Sequence, residues 1–173
     1  MTLQLKTCTV ADIPVLREIG IETFTDTFGA QNKPENLNDY LKKAYDPAQL
    51  QRELETEDSY FYFLLDDEDI AGYIKLNIND AQTEEIADQA LEIERIYIRK
   101  NHKRKGFGRF LIEKAEELAR EKQKSILWLG VWEENHPAMR FYEKMGFKQT
   151  GESHSFFMGD DEQTDLIMAK QLD

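Results

Sequence analysis

The sequence predicts an α/β fold, and three observations carry that expectation. With 173 residues, 40% of them apolar, the chain has the size and composition of one ordinary globular domain. Residues 91–132 read as strand, loop, helix and strand, the pattern of a βαβ unit with parallel strands. Residues 60–78 read as two strands around an acidic turn at 66–69, an antiparallel hairpin. Only four prolines and nine glycines are present and no repeat or low-complexity tract interrupts the chain, so a single domain over residues 1–173 is expected.

Taken in order, residues 3–7 alternate in polarity as a short strand. Residues 12–28 have helical spacing, with Ile13, Leu16, Ile19 or Gly20, and Phe24 on one side, and Thr9 or Asp12 is placed to cap the start. A second helical region is predicted over about residues 38–57: Asp46 followed by Pro47 is a helix opening, and Leu50 and Leu54 follow at i, i+4. After the hairpin, residues 78–90 contain Asp80, Glu84, Glu85 and Asp88 and no cation, which reads as a solvated loop or short helix.

In the strand at 91–98 the apolar residues fall at Leu91, Ile93, Ile96 and Ile98, so the period of two slips by one between 93 and 96. An extra residue there reads as a β-bulge, which would splay the strand and free backbone N–H and C=O groups for a peptide-like ligand. Residues 108–122 form a helix with Leu111, Ala115, Leu118 and Ala119 on one face, and 125–132 a further strand. A short helix at about 137–145 is stopped by Gly146, and 147–150, 154–158 and 165–170 supply the closing strands.

Charge narrows the function. Lys and Arg number 22 against 34 Asp and Glu, a formal net charge of −12, which disfavours direct nucleic-acid binding and an anionic membrane as partner. Cys8 is the one cysteine and no pair of the three histidines has metal-ligand spacing, so neither a disulfide nor a metal is expected. The chain shows no export signal and no apolar run of membrane-spanning length, which makes the cytoplasm the expected location. Residues 99–105 cut across the acidic average with five cations and no acid, leaving 17 cations against 34 acids elsewhere.

That cluster runs into Gly106, Phe107 and Gly108, between a strand and a helix. The first-turn amides of a helix lack intrahelical partners and, with the positive end of its dipole, bind phosphate; glycines let the backbone approach closely. Leu111 stands where G-x-G-x-x-G needs a small residue, and G-x-x-x-x-G-K-[ST] is absent, so a dinucleotide fold or mononucleotide P-loop is not indicated. From the residues alone, a phosphate cradle and a plain turn with solvated cations both stand.

Residues 91–147 resemble the GNAT acyltransferase superfamily. Its [Q/R]-x-x-G-x-[G/A] motif is similar to Lys103, Arg104, Lys105, Gly106, Phe107 and Gly108, and its second motif to Asn135 with Ala138-Met-Arg-Phe-Tyr-Glu-Lys-Met-Gly-Phe147. Lys103 replaces the usual Gln or Arg, at a position that acts largely through its backbone. Further segments spread over nearly the whole chain, among them 21–28, 34–36, 71–75, 91–98, 128–133 and 158–170, resemble the bacterial PaiA-type polyamine acetyltransferases. The resemblance implies a single mixed, mostly antiparallel sheet with flanking helices, in which acetyl-CoA is held where two central parallel strands splay apart. It also implies transfer of acetyl from that cosubstrate to a primary amine of spermidine or spermine.

By the same resemblance, the amides of residues 104–109 hold the pyrophosphate of CoA, with Arg104, Lys105 and Arg109 adding charge. Ile96, Tyr97 and Ile98 offer backbone to the pantetheine arm. Asn135 pairs with that arm or caps the short helix, and Lys144 meets a CoA phosphate or is a solvated lysine. Tyr142 matches the general acid that protonates the departing thiolate, or is a core aromatic. Glu92 and Glu94 are the candidate bases, Glu92 preferred because it precedes the bulge, and both could instead be simple surface acids or salt-bridged ones, for example with Arg95. His102 and His136 read as loop residues and His154 as a possible active-site rim.

Glu22, Asp26, Asp160, Asp161, Glu162 and Asp165 are candidates to meet a polycation, and Phe24, Phe28, Tyr73 and Phe157 to line its methylenes. Two alternatives stay open: another amine (a protein N-terminus or lysine, an aminoglycoside, an amino acid), or a non-catalytic acyl-CoA-binding regulator. A homodimer is possible and is not specified by the sequence.

Overall fold

A seven-stranded mixed sheet organises the molecule, seen in a computed structural model that describes residues 2–103 and 105–173. The strands are β1 (Leu3–Thr7), β2 (Ser59–Asp66), β3 (Asp69–Ile78), β4 (Ala90–Ile98), β5 (Ile126–Trp132), β6 (Lys148–Met158) and β7 (Asp161–Gln171). Their order is β1-β2-β3-β4-β5-β7-β6, and every neighbouring pair is antiparallel except β4 and β5. The parallel pair is the one expected from the strand-helix-strand reading of 91–132.

Five helices cover the sheet: α1 (Ile13–Phe28), α2 (Pro34–Ala44), α3 (Pro47–Leu54), α4 (Phe107–Glu121) and α5 (His136–Lys144). The apolar stripe of α4, with Leu111, Ile112, Ala115 and Ala119, packs with Met139 and Met145 against Ile74, Leu91, Ile93, Leu127 and Leu129. A second core joins α1, α2 and α3 to Phe61, Phe63, Tyr73 and Trp132 on the other face. The helix expected over 38–57 is two helices, which differs from the sequence reading. Tyr45 and Asp46 break it, and the Asp46 carboxylate caps α3 by accepting from the Ala48 and Gln49 amides at 3.0 and 3.3 Å. Neither Thr9 nor Asp12 caps α1 with its side chain; they bond to each other ahead of it, Thr9 N donating to Asp12 Oδ2 at 2.8 Å.

The bulge falls where the slipped period placed it. Lys75 pairs with Arg95 and Leu76 with Ile93, so Glu94 is the extra residue. On its other edge β4 pairs with β5 only from Ala90↔Ile126 to Ile93↔Leu129. Beyond those residues the two parallel strands diverge, and their facing edges are unpaired. β4 is held to β3 at close quarters there: the ideal Cβ of a residue at Gly72 would lie 2.2 Å from the Tyr97 carbonyl oxygen. No helix among the described residues is long and apolar enough to cross a membrane.

Candidate active site

The parted strands open a cleft of about 520 Å³. It is lined from both sides of the sheet. Phe107, Phe141 and Tyr142 belong to the α4 and α5 face, whereas Thr27, Phe28 and Trp132 belong to the α1 face. The passage therefore runs through the sheet, and two reactants can meet in it from opposite directions.

At the α4 end the backbone turns at Gly106, whose φ of +81° is the left-handed conformation that glycine adopts without strain. The first intrahelical bond of α4 is donated by Phe110 to Gly106 at 3.1 Å, which leaves the amides before it free for an anion. A Cβ at 108 would lie 3.0 Å from Phe141 Cζ, so Gly108 allows α4 and α5 to close on each other. Lys103, Gly106, Phe107, Gly108 and Arg109 line the cleft. Lys105 and Lys144 are exposed and do not line it, and Arg104 lies outside the described residues. His102, read from sequence as a loop residue, does line it, with its ring stacked on Phe107 at 6.0 Å.

Ile96, Tyr97 and Ile98 present the bulged strand along the same wall. Asn135 faces it across the cleft and caps α5, its Oδ1 accepting from the Ala138 amide at 3.3 Å. Capping engages the oxygen and leaves the Nδ2 donors for a ligand, so the two roles open in the sequence are compatible. Tyr142 packs edge-on against Phe141 and Phe147, and its hydroxyl has no hydrogen-bond partner among the described residues. Burial pushes the phenol well above its ordinary value, which keeps it protonated.

The two candidate bases separate. Glu92 does not line the cleft; it is buried and accepts from Thr83 N at 2.8 Å, Thr83 Oγ1 at 2.6 Å and Asn77 Nδ2 at 3.0 Å. It fastens the 79–89 segment to the sheet, pairs in register with Trp128 and shares the Asn77 donor with Glu94, so its carboxylate is engaged by hydrogen bonds and does not itself line the cleft. Burial raises its carboxyl, and those hydrogen bonds offset only part of the effect.

Glu94, the bulge residue, lines the cleft but is not free. Lys75 Nζ lies 2.8 Å from its Oε1, Asn77 Nδ2 donates at 2.9 Å, and Arg95 Nη2 is 3.5 Å from its Oε2. Burial would raise its carboxyl, but Arg95 and then Lys75 overcome that and hold it below the usual range.

A buried ion network surrounds these groups, and sequence reasoning missed it apart from the Glu–Arg95 pairing. Lys75 and Arg95 each contact Glu53 Oε1 at 2.9 Å, and Arg95 lies 5.6 Å from the Tyr45 ring centre. The one signal in the sequence was Lys75, a lone cation in the apolar run that became β3. Of the acceptor candidates, Phe28 lines the cleft with Phe24 stacked behind it at 4.3 Å, while Tyr73 is a core residue bonded to the Tyr45 hydroxyl at 2.9 Å. Glu22 pairs with Arg99 at 2.9 Å and Asp26 with Lys100 at 3.5 Å, and Phe157, Asp160, Asp161 and Glu162 are exposed and do not line the cleft. Asp165 contacts His154 Nε2 at 3.2 Å.

Free amides that suit phosphate at one end, and unpaired strand edges that suit a peptide-like arm at the other, match an acyl group carried on a long diphosphate-bearing thiol. The class with such a cleft is the CoA-dependent acyltransferases. Comparison with known proteins agrees: residues 20–147 match the Acetyltransferase (GNAT) family, and the chain belongs to that family. It is 48% identical over 161 residues, 93% of this chain and 92% of the relative, to an uncharacterized N-acetyltransferase in the pepI 3′ region of Lactobacillus delbrueckii subsp. lactis. It is 24% identical over 177 residues, 100% of this chain and 99% of the relative, to a spermidine N(1)-acetyltransferase of Thermoplasma acidophilum. Its fold is similar to that of a PaiA N-acetyltransferase from Thermoplasma acidophilum in complex with coenzyme A, with a TM-score of 0.80, 23% identity and 99% of each chain covered. The chemistry of the family is acetyl transfer from acetyl-CoA.

Proposed function

We propose that this acetyltransferase moves acetyl from acetyl-CoA to a primary amine of a polyamine such as spermidine or spermine, by direct attack with both substrates bound. The observation that carries this reading is the passage through the sheet. On the α4 face it has the free amides with Lys103 and Arg109; on the α1 face it has an aromatic wall with Glu94. The amides at 107–109 and the two cations bind the diphosphate, the β4 backbone at 96–98 and Asn135 Nδ2 bind the arm, and the thioester comes to lie near Tyr142. Lys105 adds long-range charge from the surface, and Lys144 is a solvated lysine.

The amine nitrogen attacks the thioester carbonyl, a C–N bond forms, and the C–S bond breaks to release thiolate. Tyr142 supplies the proton to sulfur, and the second proton that the nitrogen sheds as the amide forms returns to the phenolate and restores it. The thiolate of a thiol with reference pKa about 8.5 is a weaker base than the phenolate of a phenol with pKa about 10, and burial of the phenol widens that gap, so proton transfer is coupled to C–S cleavage rather than following it. Polyamine as acceptor is supported by the formal charge of −12 and by the spermidine-acetylating relative. Glu94, with its lone pairs engaged and its basicity lowered, orients the cation and is a poor acceptor of its proton.

Thiol release from acetyl-CoA, with spermidine, a lysine peptide and an aminoglycoside offered separately, tests the reading. Spermidine is expected to give the highest kcat/KM. Faster turnover of either other amine would move the substrate class, and no release above hydrolysis with any amine would defeat the enzymatic reading.

A further inference from the structure

An ammonium of reference pKa about 10.4 must lose a proton before it attacks, and the groups described so far do not take it. Glu92 is sequestered, Glu94 is held charged by Lys75 and Arg95, Tyr142 lies on the cofactor face, and His102 stacks at the phosphate end. One further ionisable cluster stands behind a residue of the passage wall, although none of its own side chains lines the passage. His154 on β6 stands opposite Asp165 on β7 in the strand register. Its Nδ1 lies 2.6 Å from Glu84 Oε2, in the segment between β3 and β4, and its Nε2 lies 3.2 Å from Asp165 Oδ2.

Gly130 gives this cluster its place. The glycine lines the cleft, and a Cβ on it would lie 3.3 Å from His154 Cε1 and 3.4 Å from Asp165 Oδ2. The imidazole and carboxylate thus stand over a cleft residue that has no side chain to screen them. Asp165 also pairs in register with Trp132 of β5, whose ring lies 4.9 Å from that of Phe28, so the carboxylate's strand position adjoins the aromatic wall of the α1 face. Side-chain exposure rises along the chain of contacts, from 23% at Asp165 to 29% at His154 and 37% at Glu84.

We infer that Asp165, His154 and Glu84 form the path by which the acceptor amine's proton leaves the cleft for solvent, an inference that rests on the amine-acetylating reading above. The ammonium N–H bond breaks, its electron pair stays on nitrogen for attack on the carbonyl, and the proton passes to Asp165 Oδ2 and on to His154 Nε2. The imidazolium so formed is held by both carboxylates and gives one proton to water on the Glu84 side. Exchange of its ring protons with solvent restores the starting tautomer. Among the described residues Glu84 and Asp165 are the charged groups paired with the ring, and Gly130 of β5 lies against it.

The test compares native protein with His154→Gln, which keeps hydrogen-bonding capacity and cannot carry a proton, and with His154→Ala and Glu84→Gln. For His154→Gln, kcat with the best amine is expected to fall at least about tenfold, with its pH–rate profile altered and the acetyl-CoA Kd and Tm unchanged. Added imidazole is expected to restore part of the activity of His154→Ala, and Glu84→Gln to lose a smaller factor. A His154→Gln enzyme with the native kcat and pH profile would overturn the path, as would loss of activity that follows only loss of Tm or of acetyl-CoA binding. Native protein inactive with every amine instead defeats the functional reading, and the path falls with it; the variant-to-native ratio tests the path alone.

Discussion

Single residues decide the chemistry through what surrounds them. Tyr142 is a cleft-lining phenol whose hydroxyl has no hydrogen-bond partner among the described residues, and its pKa is raised by burial. In Tyr142→Phe, kcat is expected to fall roughly 10²-fold with little change in acetyl-CoA affinity, read by steady-state kinetics and a binding titration; an unchanged kcat returns the ring to the core. Lys75 is the stability counterpart. Its ammonium sits between Glu53 and Glu94, so Lys75→Met leaves buried carboxylates under-compensated and is expected to cost about 3 kcal/mol at neutral pH.

Burial raises the Glu53 and Glu94 carboxyls, but Arg95 and Lys75 reverse this and leave both below their ordinary value. Their contribution is therefore fully present above the unfolded value of about 4.3 and is lost as pH falls through the lowered folded values. The penalty of Lys75→Met should shrink over that window, which denaturant titration against pH will show. Glu92 and Asp165 run the opposite way: burial raises them, so their charged forms oppose folding above the raised values and the opposition fades as they protonate. This network was barely legible in the sequence, because a charged residue in a single chain reads by default as solvated. Only tertiary pairing makes it a buried ion.

At the scale of elements, legibility followed periodicity. The slip between Ile93 and Ile96 pointed to the bulge, because a period of two leaves no other place for an extra residue. Gly106 and Gly108 marked the turn into α4, one residue from where that helix begins. The boundary between α2 and α3 was blurred because Tyr45 continues the apolar stripe across the break as a core residue. Neighbour order in the sheet, with β7 between β5 and β6, has no periodic signature at all, and the family resemblance supplied only its general form. The bulged strand depends on its antiparallel partner as well. A side chain at Gly72 meets β4 backbone, which cannot swing aside as a flexible side chain can. Gly72→Ala is expected to cost about 1–3 kcal/mol and to weaken acetyl-CoA binding, since β4 must move where it lines the cleft; a thermal melt and a binding titration on the same sample check both.

For the whole molecule, charge is divided along the sequence. Five cations lie in residues 99–105 and the remaining chain is strongly acidic. Attraction between an acidic body and a cationic acceptor is long-ranged and screened over about 10 Å at 0.1 M salt. KM should therefore rise with ionic strength more steeply for spermine than for spermidine, and more for spermidine than for a diamine; equal slopes would show that net charge has no part in capture. The passage through the sheet has a last consequence for traffic. A pocket with one mouth makes reactants and products queue, the second to arrive blocking the first to leave. Here the spent thiol carrier can back out on the side it entered while the acetylated amine departs on the other, so turnover need not wait for either to clear the way.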